Sequence, residues 1–173
     1  ATLASPRIWL LFTDAQGRED WAKVTRDDGG VQWVDYDQTN QRGDRIWENF
    51  TDAQGREDWA NITMDDGSRN TYDYDQKRSQ AWSRVESRFD ASGREDEANM
   101  FFDDGRHRRT DYDQDGSQYW NRVEQDFDVF GRETITNMFQ DDGGRTLVDY
   151  GVTPGYRVVS RYNAQGYLIL KEA

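Results

Sequence analysis

The chain has 173 residues, the length of about one domain. Its 22 Lys+Arg and 34 Asp+Glu give a formal charge of −12, which argues against nucleic acid or an anionic membrane as a partner, because binding to phosphate needs clustered basic residues. With no cysteine and one histidine, the chain offers no disulfide framework, no thiolate metal site and no histidine-rich metal cluster.

The composition combines a polar average with many aromatic residues. Hydrophobic residues make up 34% of the chain and aromatic residues 14%. Disordered chains are poor in aromatic residues, so we expect this chain to fold. The combination favours thin sheets with one wet face over a thick globular core. The longest purely apolar run is residues 8–12, which is too short for membrane insertion.

An internal repeat organises the whole sequence. The string Phe-Thr-Asp-Ala-Gln-Gly-Arg-Glu-Asp-Trp-Ala occupies residues 12–22 and again 50–60, and degenerate copies begin at Phe89, Phe127 and Tyr162. A second marker, Asp-Asp-Gly, begins at positions 27, 65, 103 and 141, and a third, Asp-Tyr-Asp, begins at 35, 73 and 111. All three markers keep a period of 38 residues, except that the last step of the first marker, from Asp128 to Asn163, is 35, and such a period is the signature of a repeat architecture.

In chain order, each copy predicts three strands joined by turns. A first strand leads into Asp-x-x-Gly, a second into Asp-Asp-Gly, and a third into the looser Asp-Tyr-Asp-Gln segment. Aspartate and glycine at these positions are typical of tight turns. Between the turns polar and apolar residues alternate, as at 84–89 and 122–127, which is the period of a half-buried strand. We expect about 13 to 14 strands and almost no helix.

The predicted fold class is all-β: an antiparallel β-hairpin repeat that forms an elongated or curled sheet. Each copy has three strands, which is an odd number. Such a meander would therefore place equivalent turns of successive copies on opposite edges of the sheet. The alternative is a β-solenoid, in which Asp14, Asp52 and Asp90 would stack about 4.8 Å apart and repel one another. The glycine-containing turns favour hairpins and therefore the meander.

We predict one tandem-repeat domain over residues 1–173. Its copies run over about 8–45, 46–83, 84–121 and 122–156, and a shorter copy, 157–173, ends the domain. The apolar run Tyr167–Leu170 fits a capping strand that closes an exposed edge. The chain does not begin with Met, and we interpret it as a piece of a longer polypeptide.

These motifs resemble a known class of bacterial repeats. Phe89-Asp-Ala-Ser-Gly-Arg, then Asp104-Gly-Arg, then Asp111-Tyr-Asp-Gln-Asp-Gly resembles the tyrosine-aspartate (YD, or Rhs-type) repeats of secreted and surface proteins. The chain is also similar to acidic tandem repeats of large exported, calcium-associated bacterial proteins. The resemblance implies large curved antiparallel sheets that act as a passive shell or stalk, in an extracellular or cell-surface location.

A calcium site is one candidate function. Asp111, Asp113 and Asp115 alternate and are followed by Gly116, as at the start of a helix-loop calcium site. That motif needs a bidentate glutamate at its twelfth position, where this chain has Arg122. The other interpretation is a turn whose aspartates accept hydrogen bonds from backbone N–H groups. Calcium is the one cofactor that the sequence suggests.

Aromatic residues suggest a second candidate, a glycan-binding surface. Trp21, Trp59, Trp82 and Trp120 are the candidates, since tryptophan flanked by acids and amides can stack on the apolar face of a sugar ring. The other interpretation is packing against the aliphatic stems of neighbouring arginines. The recurring tyrosines at 36, 74, 112 and 150 fit a core stripe better than a binding surface.

No enzymatic motif occurs in the sequence, and nearly all carboxylates belong to the repeat. We therefore expect a protein that is not an enzyme. The Arg-Glu pair after each first turn, such as Arg18-Glu19, predicts a cross-strand charge ladder. The expected function is structural: a spacer, shell or adhesion region, with the rest of a longer polypeptide as partner and a calcium- or carbohydrate-binding module as the alternative.

Overall fold

A computed structural model describes residues 8–38, 44–153 and 156–173. The chain divides into two compact units, residues 1–93 and 94–173. The strands of the first unit are β1 (Ile8–Thr13), β2 (Glu19–Thr25), β3 (Val31–Tyr36), β4 (Asp44–Thr51), β5 (Glu57–Met64), β6 (Arg69–Tyr74) and β7 (Trp82–Phe89). Those of the second unit are β8 (Glu95–Phe102), β9 (His107–Tyr112), β10 (Trp120–Phe127), β11 (Glu133–Gln140), β12 (Arg145–Thr153), β13 (Tyr156–Tyr162) and β14 (Leu168–Glu172).

Within each unit the strands form an antiparallel meander in chain order. In the first unit each strand pairs with the next, from β1 to β7. The second unit repeats this pattern from β8 to β14. The predicted all-β, antiparallel hairpin repeat is confirmed, with fourteen strands in the described residues. The solenoid alternative is wrong, because antiparallel hairpins separate equivalent residues by three strands instead of stacking them.

The described residues hold no helix of the length and apolar character that crossing a bilayer requires.

The two tight turns of each copy share one backbone geometry. At the first, the N–H of Asp14 donates to the carbonyl of Arg18 at 2.9 Å and the N–H of Gly17 to that of Asp14 at 3.0 Å. At the second, Arg26 and Gly30 take the places of Asp14 and Arg18. Each turn therefore closes a three-residue loop whose last residue is a glycine with positive φ, which is a common way to join neighbouring strands.

Successive copies present the same residue to opposite faces of the sheet. In the first unit Ala22 lies opposite Val34, Val34 opposite Glu48, and Glu48 opposite Asn61. Directly opposed residues share a face, so Asn61 lies on the Ala22 face while its neighbour Ala60, the counterpart of Ala22, lies on the other face. We call the second face, which also holds Trp21, the Trp21 face.

The second unit alternates in the same way. Met100 lies opposite Arg108, Arg108 opposite Asp126, and Asp126 opposite Ile135. Ile135 therefore shares the face of Met100, and Met138, three residues farther along the same strand, points to the other face.

This alternation explains a small core. The apolar positions of consecutive copies are divided between two faces, and within the described residues of each unit no second layer of secondary structure covers them. Among the described residues the buried hydrophobic side chains are those of Ala22, Val24, Phe50 and Ala60. Cross-strand pairing and turn hydrogen bonds therefore supply much of the stabilisation that a thick core supplies in globular domains.

Candidate functional site

The first-turn aspartate is the centre of a recurring hydrogen-bond cluster. The carboxylate of Asp14 accepts the backbone N–H groups of Gln16 and Arg18, each at 2.9 Å, and the Nε–H of Arg18 at 2.7 Å. These bonds, led by the one from the Arg18 backbone, hold the pKa of Asp14 below its usual value. Asp52 and Asp128 repeat the arrangement with Arg56 and Arg132.

This geometry overturns the predicted Arg-Glu charge ladder at those turns. The guanidinium groups of Arg18, Arg56 and Arg132 pair with the aspartate of their own turn, at 2.6–2.7 Å, and not with glutamate across a strand. The turn brings residue i+4 back beside residue i, which makes the local partner nearer than any cross-strand partner. Cross-strand ion pairs do occur elsewhere, as between Arg108 and Asp126 at 2.6 Å.

The Asp-Tyr-Asp-Gln segment binds back onto the second strand of its copy. The side-chain amide of Gln38 donates to the backbone carbonyl of Glu19. Gln76 does the same to Glu57, and Gln114 to Glu95. Since the end of the third strand lies beside the start of the second, this bond fixes the loose loop against the strand edge.

The tyrosine two residues before each of these glutamines belongs to the same cluster. Tyr36, Tyr74 and Tyr112 are half-buried. Burial is the main cause that raises the pKa of each phenol, and the carboxylates of Glu19, Glu57 and Glu95 add to it. The tyrosines therefore have a packing role. Tyr150, the fourth member of the series, is exposed.

Two of the three predicted calcium ligands, Asp113 and Asp115, lie side by side in the turn, and the third, Asp111, lies on the preceding strand. Asp113 accepts the N–H groups of Ser117 and Gln118, at 3.2 and 2.8 Å, and Asp115 accepts that of Ser117 at 2.9 Å. Asp111 lies on β9 opposite Glu97 and Val123, and its carboxylate is 3.8 Å from Arg109. In the described ranges no group of three or more His, Asp or Glu side chains is placed to hold a metal ion. The calcium site stays a prediction.

The four predicted tryptophans do not share one surface. Trp21 stacks on Phe12 with ring centroids 3.6 Å apart and lies on the Trp21 face. Trp59 stacks on Phe50 at 5.7 Å and lies on the Ala22 face. Trp82 and Trp120 are the first residues of β7 and β10, and both are half-buried. The alternation of faces separates Trp21 from Trp59.

The three tryptophans outside the predicted set are more exposed than the predicted ones, and two of them, Trp33 and Trp47, lie on the neighbouring strands β3 and β4. Trp33 and Trp47 expose 40% and 43% of their surface on the Trp21 face. Trp33 lies opposite Asn49, and Trp47 lies opposite Asp35. Each strand therefore presents one aromatic ring and one polar side chain here, and each ring faces a polar side chain on the other strand. The ammonium of Lys23 lies 4.6 Å from the centroid of the Trp33 ring.

A signal for these two residues was present in the sequence. Trp33 is replaced in the next copies by Thr71, Arg109 and Leu147, and Trp47 by Val85, Val123 and Val158. The fold accepts these replacements, so the repeat itself does not require tryptophan at either place. Reasoning from the repeating positions passes over residues that occur in one copy only.

A cationic or imidazole group facing an aromatic ring recurs along the repeat. Arg69 lies 4.5 Å from the ring of Phe89, and Arg145 lies 4.5 Å from the ring of Tyr162. At the same place in another copy, His107 stacks on Phe127 at 4.3 Å. Each pair sits directly across neighbouring strands, which identifies the single histidine as a packing residue.

No known family model matches the sequence, and no curated protein matches it.

Proposed function

We propose that this chain is a structural repeat segment, a spacer, shell or adhesion region, of a large secreted or surface bacterial protein, with no enzymatic activity of its own. The observation that carries the proposal is the periodic use of polar side chains. The side chains of Asp14, Gln38 and their counterparts in the following copies form hydrogen bonds to backbone groups, and these bonds hold the turns and loops in place. Because these recurring polar side chains stabilise the fold itself, they favour a structural role for the chain.

The repeat geometry gives such a segment an adjustable length. Each period of 38 residues adds three strands and the same set of turns. Within a unit, equivalent strands are three strands apart. They therefore run in opposite directions and present equivalent residues to opposite faces of the sheet. A copy can therefore be added or removed without new kinds of contact.

Removal of one complete period tests this proposal. Deletion of residues 46–83 joins Arg45 to Arg84 and leaves each remaining strand with neighbours of the same kind as before. We expect the shortened chain to keep its β circular dichroism and a cooperative melting transition. The matched control is an out-of-phase deletion of residues 46–87, which joins Arg45 to Arg88, leaves four residues of the joined first strand and should not fold. Loss of structure after the in-phase deletion would contradict the proposal.

The exposed tryptophans favour a second candidate function, carbohydrate binding. Trp33 and Trp47 offer ring faces, and the side-chain oxygens of Asp35 and Asn49 beside them are hydrogen-bond acceptors for hydroxyls, while the Asn49 amide N–H donates to Glu57. The negative face of an aromatic ring attracts the polarised C–H groups of a sugar ring. A glycan array tests this with the native chain and a Trp33→Thr, Trp47→Val variant, whose new residues are those of the next copy. Binding that survives in the variant, or no binding by the native chain, would exclude this site.

A further inference from the structure

Three tryptophan rings lie beside one carboxylate on the Trp21 face of the first unit. Asp35 on β3 lies directly opposite Trp21 on β2 and directly opposite Trp47 on β4. Trp33 precedes Asp35 by two residues on β3, so both side chains point to the same face. The centroid of the Trp33 ring lies 5.5 Å from that of the Trp21 ring. The three rings therefore form an arc beside the carboxylate, in which Trp33 and Trp47 are exposed.

The space between Trp33 and Trp47 suits a methylated ammonium group. The two residues are diagonal neighbours on β3 and β4, and diagonal neighbours of antiparallel strands stand about 7–8 Å apart. A cation between two such rings lies within about 6 Å of both ring centroids, which is the range in which the negative ring face attracts it. A ligand at this place also lies near the Asp35 carboxylate.

The cations of the chain itself show that rings on this sheet attract positive charge. The ammonium of Lys23, on β2, lies 4.6 Å from the centroid of the Trp33 ring. The guanidinium of Arg26 lies over the ring of Phe50 at 4.4 Å. Among the described residues none places a cation over the ring of Trp47. Trp47 therefore offers an exposed ring face of the kind that holds a cation elsewhere in the sheet.

The charge of the chain and its ring faces together favour one class of ligand. A net charge of −12 raises the local concentration of cations and lowers that of anions, and the Asp35 carboxylate acts in the same sense at the site. A quaternary ammonium has no N–H groups that require hydrogen-bond acceptors, so a site built mainly of rings accepts it more readily than a primary ammonium.

We propose that the surface formed by Trp33, Trp47 and Asp35 binds a quaternary ammonium group such as that of choline. The methyl groups, which share the positive charge, contact the two ring faces, and the carboxylate adds to the attraction. Binding at this surface does not depend on the structural role of the chain. Because the carbohydrate candidate uses the same two rings, the test must separate a cation from a neutral ligand.

The second copy provides a comparison within the chain. There Asp73 keeps the place of the carboxylate, whereas Thr71 and Val85 take the places of Trp33 and Trp47. The sheet pairs in the same way around these smaller residues. A Trp33→Thr, Trp47→Val variant therefore removes the ring faces with residues that the repeat already uses.

Choline and its neutral isostere, 3,3-dimethylbutan-1-ol, measure the contribution of the positive charge. The two ligands have the same shape, and saturation-transfer NMR on their methyl groups measures binding without relying on tryptophan fluorescence. The native chain should bind choline saturably and the alcohol about tenfold more weakly, because the ring faces and the carboxylate attract only the cation. The double variant should lose the binding of choline.

Trp9→Val is the matched control. Trp9 precedes Trp47 by one period of 38 residues, is 65% exposed and lies opposite Val24, on the Ala22 face. The control therefore makes the same substitution at an equivalent, exposed tryptophan on the other face of the sheet, and it should bind choline like the native chain. Circular dichroism checks that every variant keeps its β structure.

A Lys23→Asn variant should bind choline more tightly than the native chain. Asn61 occupies this place in the second copy, and the substitution removes an ammonium that lies over Trp33 and repels a second cation. The affinity should rise about two- to threefold, which is the effect of one unit charge at about 8 Å in water. A ligand that pairs with Lys23 through an anionic group would instead bind more weakly.

The same ammonium group occurs free in solution and on the headgroup of phosphatidylcholine. Cosedimentation with phosphatidylcholine vesicles separates the two sources. A chain that binds choline and sediments with the vesicles recognises the headgroup, and a chain that binds choline but stays in the supernatant takes the free ligand.

Four outcomes would overturn the proposal. A native chain that does not bind choline has no such site. Equal binding of the alcohol would show that the rings act only as an apolar surface, which leaves the carbohydrate candidate to its own glycan array. Binding that survives in the double variant, or that disappears in the Trp9→Val control, would place the ligand elsewhere. Weaker binding by the Lys23→Asn variant would show that the site does not select a cation.

Discussion

Arg78 and Gly116 occupy the same position of the third turn in successive copies, 38 residues apart. Arg78 has φ 51° and Gly116 has φ 68°. Among the described non-glycine residues Arg78 is the one with positive φ. A side chain in this region is strained by about 1–2 kcal/mol, whereas glycine is not.

We therefore expect Arg78→Gly to stabilise the chain. Part of the relieved strain is offset because glycine makes the unfolded chain more flexible, which leaves a gain of about 0.5–1 kcal/mol. Chemical denaturation measures it. The reciprocal Gly116→Arg should cost a similar amount, and Arg78→Ala, which keeps the strain but removes the guanidinium, should not stabilise. Equal stability of the glycine and alanine variants would rule out the backbone explanation.

Two aspartates should respond to pH with opposite sign. Hydrogen bonds from the Arg132 side chain and backbone hold the pKa of Asp128 below its usual value. Partial removal from water, together with the nearby carboxylates of Asp58 and Asp75, raises the pKa of Asp73. A carboxylate with a lowered pKa stabilises the fold above the unfolded pKa of about 3.9 and loses that contribution in acid. A carboxylate with a raised pKa destabilises the fold when it is ionised, and this cost disappears when the group is protonated in acid.

Asp128→Asn should therefore lower the melting temperature at pH 7, and Asp73→Asn should raise it. Both differences from the native chain should shrink as acid protonates the native carboxyls, for Asp73 already above the unfolded pKa and for Asp128 only below it. Thermal melts at several pH values measure this. A difference that does not change with pH would show that charge is not its cause.

At the scale of the strand, the two copies of the Phe-Thr-Asp motif give a matched comparison. The ring of Phe50 is buried, stacks on Trp59 and lies beneath the guanidinium of Arg26 at 4.4 Å. Its edge lies so close to Gly30 that a Cβ there would stand 2.9 Å from the Phe50 Cζ atom. Phe12, its counterpart on β1, is 39% exposed.

We expect Phe50→Ala to destabilise the chain by about 3 kcal/mol, because it leaves a cavity between strands. Phe12→Ala should cost about 1 kcal/mol, because less of the ring is buried and solvent can fill the space. Denaturant titration of both variants measures the two losses. Equal losses would mean that position in the sheet does not decide the cost.

Strand pairing also decides which site predictions could succeed. The sequence identified Trp21 and Trp59 as equivalent residues, which they are, but equivalence along this repeat places them on opposite faces. The exposed pair Trp33 and Trp47 is brought together by the register of β3 against β4. Register depends on loop lengths and bulges, which periodicity alone does not reveal.

At the scale of the whole chain, the charge of −12 dominates the response to ions. We expect Ca²⁺ and Mg²⁺ at equal concentration to raise the melting temperature by the same amount, since screening of repulsion does not distinguish the two ions. Thermal melts with each ion, and after EDTA, measure this. A larger effect of Ca²⁺ that disappears in an Asp113→Asn, Asp115→Asn variant would instead support the predicted calcium site.

The period, the three turns of each copy and the antiparallel strands could all be predicted from the sequence, because aspartate and glycine specify tight turns through contacts with their own neighbours. The partners of the first-turn arginines, the alternation of faces and the exposure of Trp33 could not. These features depend on which residues of separate strands lie opposite one another. A shift of one residue in the register between two strands moves every side chain of a strand to the other face. That register is fixed only by the pairing of the strands in the folded sheet.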